Sequence, residues 1–180
     1  MKKTVPSDDV YKKYIREIPD FPKPGIGFKD IAPLLGDGRI FAQAVDDLAR
    51  LSREAGLEPA KIACPEARGF LIGSALALRF GAGLAPIRKP GKLPYRTVEV
   101  AYALEYGTDR VQMHVDAVAP GEKVLLVDDV LATGGTMRAC AELVEKTGGV
   151  PIGCAFLVEL GFLGGREKLR DLPLVSLIRY

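Results

Sequence analysis

Two adjacent carboxylates followed by a turn of small residues are the groups in this chain best suited to chemistry. Asp128 and Asp129 come directly after the apolar run 124–127, which is typical of a buried parallel strand. The turn 132–136, Ala-Thr-Gly-Gly-Thr, comes next, and a helical pattern begins at Met137. Backbone N–H groups at a helix N-terminus bind phosphate, whereas carboxylates suit sugar hydroxyls or a phosphate-bound Mg²⁺. The stretch therefore predicts one site for a phosphorylated sugar.

The composition of the turn supports the phosphate prediction. Gly134 and Gly135 let the backbone approach an anion because neither residue carries a Cβ. Ala132, Thr133 and Thr136 complete the turn with small side chains. The alternative is a plain strand–turn–helix with a chance acidic pair. It requires the strand, the acids, the glycines and both threonines to coincide without a common function.

Cations follow two other predicted strands. Arg68 lies between the strand 61–64 and a predicted helix, where an arginine can hold phosphate through two hydrogen bonds. The alternative for Arg68 is a solvated residue at a helix start. Lys89 and Lys92 belong to a run of cations and prolines after the strand 84–88. Such a run is usually a solvated face, but its position at a strand end favours anion binding.

The acidic pair and its turn resemble the phosphoribosyl-pyrophosphate (PRPP) motif of the type I phosphoribosyltransferases. Segment 18–31, with three prolines and two glycines, resembles the N-terminal segment of the adenine phosphoribosyltransferases. The segment 66–70, Glu-Ala-Arg-Gly-Phe, and the segment 104–109, Leu-Glu-Tyr-Gly-Thr-Asp, also match that family. The resemblance implies a homodimeric enzyme that converts adenine and PRPP into AMP and pyrophosphate.

The resemblance also implies roles for the phosphate-binding and sugar-binding residues. Asp128 and Asp129 would hold the ribose hydroxyls, and the turn 132–136 would bind the 5′-phosphate. Mg²⁺, bound mainly through PRPP and without an assigned protein ligand, would help to neutralise the leaving pyrophosphate. Arg68, Lys89 and Lys92 would contribute further positive charge to that neutralisation. Arg68 would thereby act in catalysis as well as in substrate binding.

The base and the catalytic carboxylate are assigned by the same resemblance. Three residues of an N-terminal hood would contact the purine: Ile26, Gly27 and Phe28. Leu160 would lie on the flat face of the base, and Tyr106 would contact substrate. Glu105 would be the catalytic carboxylate, although the residues alone favour a surface acid at a strand end. Gly27 and Lys29 depart from the branched residue and the arginine that are typical of the family.

The elements that position these residues alternate between strands and helices. The predicted helices and helical turns cover 8–17, 40–57, 70–80, 137–145 and 164–169. The predicted strands cover 61–64, 84–88, 97–105, 110–116, 124–127, 150–159 and 174–178. This order predicts an α/β fold with a doubly wound, mostly parallel sheet and a β-hairpin arm. We expect a single domain over 1–180, with a hood over 1–35 and a flexible loop and arm over 89–109. Segment 18–31 is expected to lack regular structure and to pack through its apolar residues.

Composition excludes several other classes of protein. A chain of 180 residues with 48% apolar and 27% charged residues is typical of one globular domain. The net charge of +2 gives no basis for binding nucleic acid or a membrane surface. No signal peptide is visible, and three cysteines without metal-ligand spacing predict reduced core residues in a cytoplasmic protein. The single histidine, His114, is expected to be an exposed strand residue rather than part of a triad or metal site.

A PRPP-binding regulator of the same fold without catalysis is the alternative function. Such a regulator would be expected to carry a DNA-binding segment or a basic face. Roughly 60 residues precede the first strand of the sheet, and no helix-turn-helix pattern is evident among them. A P-loop nucleotidase is disfavoured because the chain lacks the G-x-x-x-x-G-K-[ST] pattern.

Overall fold

A five-stranded parallel sheet forms the centre of the molecule. The computed structural model describes residues 9–103 and 107–180. The strands of the sheet lie in the order β4-β3-β7-β8-β9, and every neighbouring pair is parallel. Their bounds are β3 Lys61–Pro65, β4 Gly83–Ile87, β7 Lys123–Leu131, β8 Val150–Glu159 and β9 Leu174–Arg179. The predicted parallel α/β architecture is confirmed.

Helices cover both faces of the sheet, which explains the continuous apolar runs of its strands. The main helices are α3 Gly38–Glu54, α4 Arg68–Phe80 and α5 Gly135–Lys146. Leu125 and Val127 belong to the core beneath α3 and α4, whereas Val124 and Leu126 belong to the core beneath α5. This alternation follows the two-residue period of a strand, and it confirms the doubly wound arrangement.

An antiparallel hairpin packs beside α5 and corresponds to the predicted arm. It consists of β5 Thr97–Ala103 and β6 Thr108–His114, with Val100 opposite Val111. Both valines are buried in the same core as α5. The predicted arm is confirmed as a hairpin, and residues 104–106 at its tip lie outside the described ranges.

The N-terminal region differs from the sequence prediction in two respects. The helix predicted over 8–17 is wrong beyond Lys12, because α1 covers only Asp9–Lys12 and β1 follows at Arg16–Ile18. Segment 18–31 was expected to lack regular structure, yet it contains β2 Phe28–Asp30, which pairs antiparallel with β1. This long-range pairing overrides the local helical spacing. The short helix α2, Ala32–Gly36, leads into α3.

Apolar residues of segment 18–31 are packed only in part. Ile31 is buried in the core with 3% exposure, as expected. Phe21 and Ile26 expose 50% and 46% of their surface, so the expected packing is wrong for these two residues. Phe28 is half-buried and meets the ring of Phe21 edge-on at 5.1 Å between centroids. The hood therefore presents apolar side chains to solvent.

Two short 3-10 turns, Gly161–Leu163 and Gly165–Leu169, connect β8 to β9. The predicted helical turn over 164–169 is thus present as a 3-10 turn. Within the described ranges no helix has the length and apolarity needed to cross a bilayer. The three cysteines are buried and free, as predicted. His114 is half-buried, and its Nε2 atom is buried with no hydrogen-bond partner among the described residues, so the prediction of an exposed histidine is wrong.

Candidate active site

Five residues predicted from three separate strand ends line one cavity. Because β3, β4 and β7 are parallel, their carboxyl ends lie at the same edge of the sheet. The cavity at this edge has a volume of about 360 Å³. The predicted residues that line it are Arg68, Lys89, Asp128, Asp129 and Thr136. Two cations and two carboxylates of the predicted set therefore face one cavity.

The small-residue turn forms a second, smaller cavity that adjoins the first. Its volume is about 90 Å³, and Asp128 and Thr136 line both cavities. The remaining predicted members of the turn also line it: Ala132, Thr133, Gly134 and Gly135. Helix α5 begins here, and its N-cap residue is Gly134, which has no side chain to cap the first N–H groups. These donors and the positive end of the helix dipole suit a phosphate.

Close backbone packing supports the turn from behind. Gly134 has a φ of +77°, and a Cβ on it would lie 2.5 Å from the carbonyl oxygen of Gly165. In return, a Cβ on Gly165 would lie 2.2 Å from the carbonyl oxygen of Ala132. Glycine is therefore required at both positions, and the turn rests directly on the start of the second 3-10 turn.

The acidic pair is largely withdrawn from water. Asp129 is only 3% exposed, and the Asp128 carboxylate accepts a hydrogen bond from the Asp129 N–H at 2.8 Å. Burial raises the pKa of Asp128 well above its ordinary value, and the neighbouring charge of Asp129 raises it further. Burial also raises the pKa of Asp129, although the charge of Arg68 opposes this effect. Groups that favour the charged form, such as hydroxyl donors, are therefore well matched to this pair.

Arg68 joins the acidic pair to the hood. Its Nε lies 2.7 Å from Oδ2 of Asp129. The contact is an ion pair, and within the described residues that oxygen accepts no hydrogen bond. The guanidinium carbon also lies 5.2 Å from the centroid of the Phe28 ring. The Arg68 side chain is 47% exposed, so it can exchange Asp129 for another anion without crossing a packed core.

Lys89 is held by a network that connects the arm to the phosphate turn. Its Nζ donates to the Asp109 carboxylate and, at 3.1 Å, to the hydroxyl of Tyr102. The same hydroxyl lies 3.2 Å from Asp109 and accepts from Oγ1 of Thr136 at 3.3 Å. Partial burial lowers the pKa of Lys89, but the bonds to Asp109 and Tyr102 outweigh it and leave that pKa raised.

Sequence reasoning did not select three residues that the structure places at the site. Tyr102 lines the larger cavity and contacts both Lys89 and Thr136. Glu66 lines it too and pairs with Arg88. Burial raises the pKa of Glu66, but the contacts with Arg88 outweigh this and leave the pKa lowered. The position of Glu66 could have indicated a role, since it shares a strand-end turn with Arg68.

The third residue is Asp109, which contacts Lys89 and Tyr102. Nothing in the sequence indicated a role for Tyr102 or Asp109, because the alternation along β5 and β6 does not reveal which residues they contact.

Several predicted residues lie away from both cavities. Lys92 is exposed and lines neither cavity. Its charge contributes to lowering the pKa of Glu66, after the contacts with Arg88. Four others line neither cavity: Ile26, Gly27, Phe28 and Leu160. Glu105 and Tyr106 lie outside the described residues. Among the residues that the structure does describe, no group of three or more His, Cys, Asp or Glu could hold a metal ion.

Comparison with known proteins agrees with this geometry. The model of the phosphoribosyl transferase domain matches residues 35–172. The adenine phosphoribosyltransferase of Brevibacillus brevis is 51% identical over 170 residues, which cover 94% of this chain and 99% of the relative. The crystal structure of adenine phosphoribosyltransferase from Thermoanaerobacter pseudethanolicus superposes with a TM-score of 0.93 at 51% identity, covering 97% and 100% of the two chains.

A more distant structure preserves the same fold. It is adenine phosphoribosyltransferase from Saccharomyces cerevisiae, in complex with an iminoaltritol bisphosphate and adenine. It has a TM-score of 0.90 at 36% identity and covers 95% of this chain and 98% of its own. The likenesses span both cavities, the hood and the arm. The chain therefore belongs to the phosphoribosyltransferase family and, within it, to the adenine phosphoribosyltransferases.

Proposed function

We propose that this protein transfers the 5-phosphoribosyl group of PRPP to adenine, giving AMP and pyrophosphate in purine salvage. The observation that carries the proposal is the pair of adjoining cavities that share Asp128 and Thr136. The smaller cavity offers uncapped helix N–H groups for the 5′-phosphate. The larger one offers carboxylates for the ribose and cations for the pyrophosphate. These are the three chemical parts of PRPP, in the order in which they are joined.

The reaction displaces pyrophosphate from the anomeric carbon of the ribose by a nitrogen of adenine. As the bond to pyrophosphate breaks, the ribose ring gains positive character. Asp128 and Asp129 hold the ribose hydroxyls and place negative charge beside that ring, which stabilises the transition state. Oδ2 of Asp129 forms an ion pair with Arg68 but accepts no hydrogen bond from the described residues, so a ribose hydroxyl could donate to it once Arg68 turns to the pyrophosphate.

Arg68, Lys89 and Lys92 bind the leaving pyrophosphate. Arg68 and Lys89 face the larger cavity, whereas Lys92 is exposed on the loop that follows β4. Asp128 and Asp129 would help to hold a Mg²⁺ that is bound mainly by PRPP oxygens, since carboxylates are among the ligands that Mg²⁺ prefers. When bound, Mg²⁺ supplies positive charge that makes pyrophosphate a better leaving group.

The hood selects adenine over 6-oxo purines through its backbone. Adenine has an acceptor at N1 and a donor at its 6-amino group, whereas hypoxanthine has the reverse. The N–H of Ile26 already donates to the carbonyl of Lys23 at 3.2 Å, which leaves the Gly27 backbone as the best reader of the base edge. Phe28 and Leu160 cover the two faces of the ring. The solved yeast enzyme is itself a complex with adenine, which supports this choice.

The remaining assignments concern the arm and the assembly. Glu105 assists proton transfer at the purine or stabilises the transition state, and Tyr106 contacts the substrate. The loop and arm, 89–109, close over the site during turnover. The enzyme is a homodimer, in which the arm of one subunit can approach the site of the other. Three buried free cysteines support a cytoplasmic location.

A coupled assay for pyrophosphate release tests the proposal. Purified protein with Mg²⁺, PRPP and adenine is expected to form AMP, and hypoxanthine is expected to react far less well. Unpaired buried polar groups can reduce kcat/KM for the wrong base by a factor of about 10⁴. Values for the two bases within about tenfold of each other would contradict backbone reading. PRPP binding without AMP formation would favour the catalytically inactive regulator.

A further inference from the structure

A buried carboxylate at the end of β8 has no assigned role in the reaction. Glu159 is 1% exposed and lies next to Leu160 at the carboxyl end of the strand. Arg166 donates to both of its oxygens at 2.7 Å, and the Ser176 hydroxyl donates to one of them at 2.7 Å. Arg179 lies 3.4 Å away. These contacts lower the pKa of Glu159, with Arg166 the largest cause, so the group is a buried and fully paired anion.

The pair between Glu159 and Arg166 closes the loop 159–166, which packs against the phosphate turn 132–136. Arg166 follows Glu159 by seven residues, and the first 3-10 turn lies between them. Two parallel bonds between a guanidinium and a carboxylate fix orientation as well as distance. Residue 165 is therefore held in one place by its neighbour. Gly165 is the residue whose backbone packs against Ala132 and Gly134.

We propose that Glu159 and Arg166 are positioning residues for the 5′-phosphate, holding Gly165 behind the turn 132–136 so that the turn keeps its phosphate-binding shape. The proposal rests on the proposed function, because it assigns the 5′-phosphate to that turn. Neither side chain touches the ligand. Their effect passes through one backbone contact, in which the carbonyl of Ala132 has no room to retreat unless Gly165 moves.

The same geometry separates positioning from general stability. The Arg166 side chain is 43% exposed, so its loss removes no packed core group, although it takes one partner from the buried Glu159. Glu159 keeps Ser176 as a donor after that loss. We therefore expect Arg166→Ala to fold. Its main effect should be that Gly165 is held less firmly behind the turn 132–136.

Two small ligands distinguish the phosphate turn from the rest of the site. Ribose 5-phosphate uses the turn, whereas pyrophosphate uses the cations of the larger cavity. By calorimetric titration, Arg166→Ala is expected to weaken ribose 5-phosphate binding about tenfold, the loss expected when a hydrogen bond to a charged group is lost. Pyrophosphate binding is expected to stay within about twofold. Arg50→Ala is the matched control, because Arg50 also contacts two carboxylates but lies on α3.

A second variant tests the backbone contact without removing any charge. Gly165→Ala places a Cβ against the Ala132 carbonyl and should weaken ribose 5-phosphate binding at least as much as Arg166→Ala does. Gly38→Ala is its control, since a Cβ there meets nothing within 4 Å. The double variant, Glu159→Gln with Arg166→Ala, should have the same affinity for ribose 5-phosphate as whichever single variant binds it more weakly. The two losses should not add, because the two residues act as one unit.

The outcomes separate this proposal from the proposed function. Equal losses for ribose 5-phosphate and pyrophosphate in Arg166→Ala, or no loss for either, would overturn the positioning role. So would an unchanged affinity for ribose 5-phosphate in Gly165→Ala. If the selective losses occur but the wild-type protein makes no AMP, the positioning role stands and the proposed enzyme activity fails. A wild-type protein that does not bind ribose 5-phosphate would overturn both.

Discussion

Replacing Arg68 by alanine is the sharpest test of how the larger cavity divides its binding contacts between ligands. The guanidinium lies beside Asp129, over the ring of Phe28 and at the mouth of the cavity. Both PRPP and pyrophosphate would bring a diphosphate to this position, whereas AMP has none. Arg68→Ala should therefore weaken PRPP and pyrophosphate binding and leave AMP binding nearly unchanged.

The size of the effect depends on two interactions of Arg68: the ion pair with Asp129 in the free protein and the hydrogen bond to the diphosphate in the complex. A charge-assisted hydrogen bond contributes about 1.5–3 kcal/mol, which corresponds to roughly tenfold to 150-fold in Kd. Arg68 must leave Asp129 to bind the diphosphate, so part of that energy is already present in the free protein. Because the Arg68 side chain is 47% exposed whereas Asp129 is buried, solvent screens this pair only in part, and the loss of the pair moves the expected effect toward the lower end of that range. We expect Kd for PRPP to rise about tenfold to thirtyfold.

Isothermal titration with PRPP, pyrophosphate and AMP measures the three affinities directly. Arg79→Ala is the matched control: Arg79 lies on the same helix, pairs with Asp46 at 2.6 Å and has a side chain 49% exposed. It should leave all three affinities unchanged. Equal losses for PRPP and AMP in Arg68→Ala would refute the assignment of Arg68 to the diphosphate, and an equal loss in Arg79→Ala would show a nonspecific charge effect.

Two further predictions concern the carboxylates. Glu105→Gln keeps the shape of the side chain and should lower kcat greatly with little change in KM, as expected for an interaction made mainly in the transition state; a wild-type kcat would exclude Glu105 from the chemistry. PRPP binding should release protons from the acidic pair. The raised pKa of Asp128 keeps the free pair partly protonated above the ordinary aspartate range, and hydroxyl donors favour its ionised form. PRPP affinity should therefore rise with pH through that window. Calorimetry in buffers of different ionisation enthalpy measures the release, and a release equal in Asp128→Asn would contradict this account.

The sequence predicted the central sheet because its strands are buried on both faces. The strand over 150–159 has the predicted bounds, since an apolar run there is limited by a glycine pair and an acid. The edge of the fold was less predictable. The chain at Arg16–Ile18 follows a helical spacing in sequence but pairs with Phe28–Asp30, and nothing local indicates that partner. Short segments are decided by tertiary pairing, which a single sequence does not display.

The site divides in the same way. Residue types near strand ends were sufficient to select Arg68 and Asp129, because parallel strands end at one edge. The strand predicted over 124–127 was too short, since β7 continues to Leu131 and both acids lie within it. The partners of these groups were not predictable. Lys89 meets Asp109, which lies 20 residues away on the arm, and Glu159 meets Arg166 through a loop of 3-10 turns. Such contacts depend on how separate segments are oriented, and the spacing of residues along a chain does not encode that orientation.

The ion pairs of the free protein have a consequence for the start and the end of each turnover. Arg68 and Lys89 are already matched by Asp129 and Asp109, so the cavity is close to electrically balanced before substrate arrives. If Arg68 and Lys89 bind the pyrophosphate as proposed, an incoming diphosphate would exchange one anion for another, and its net gain would be a difference between two interactions. Inorganic phosphate, with less charge and a shorter reach, would gain less from this exchange and is expected to compete poorly. When pyrophosphate leaves, the same carboxylates would pair with their cations again, which would favour its departure.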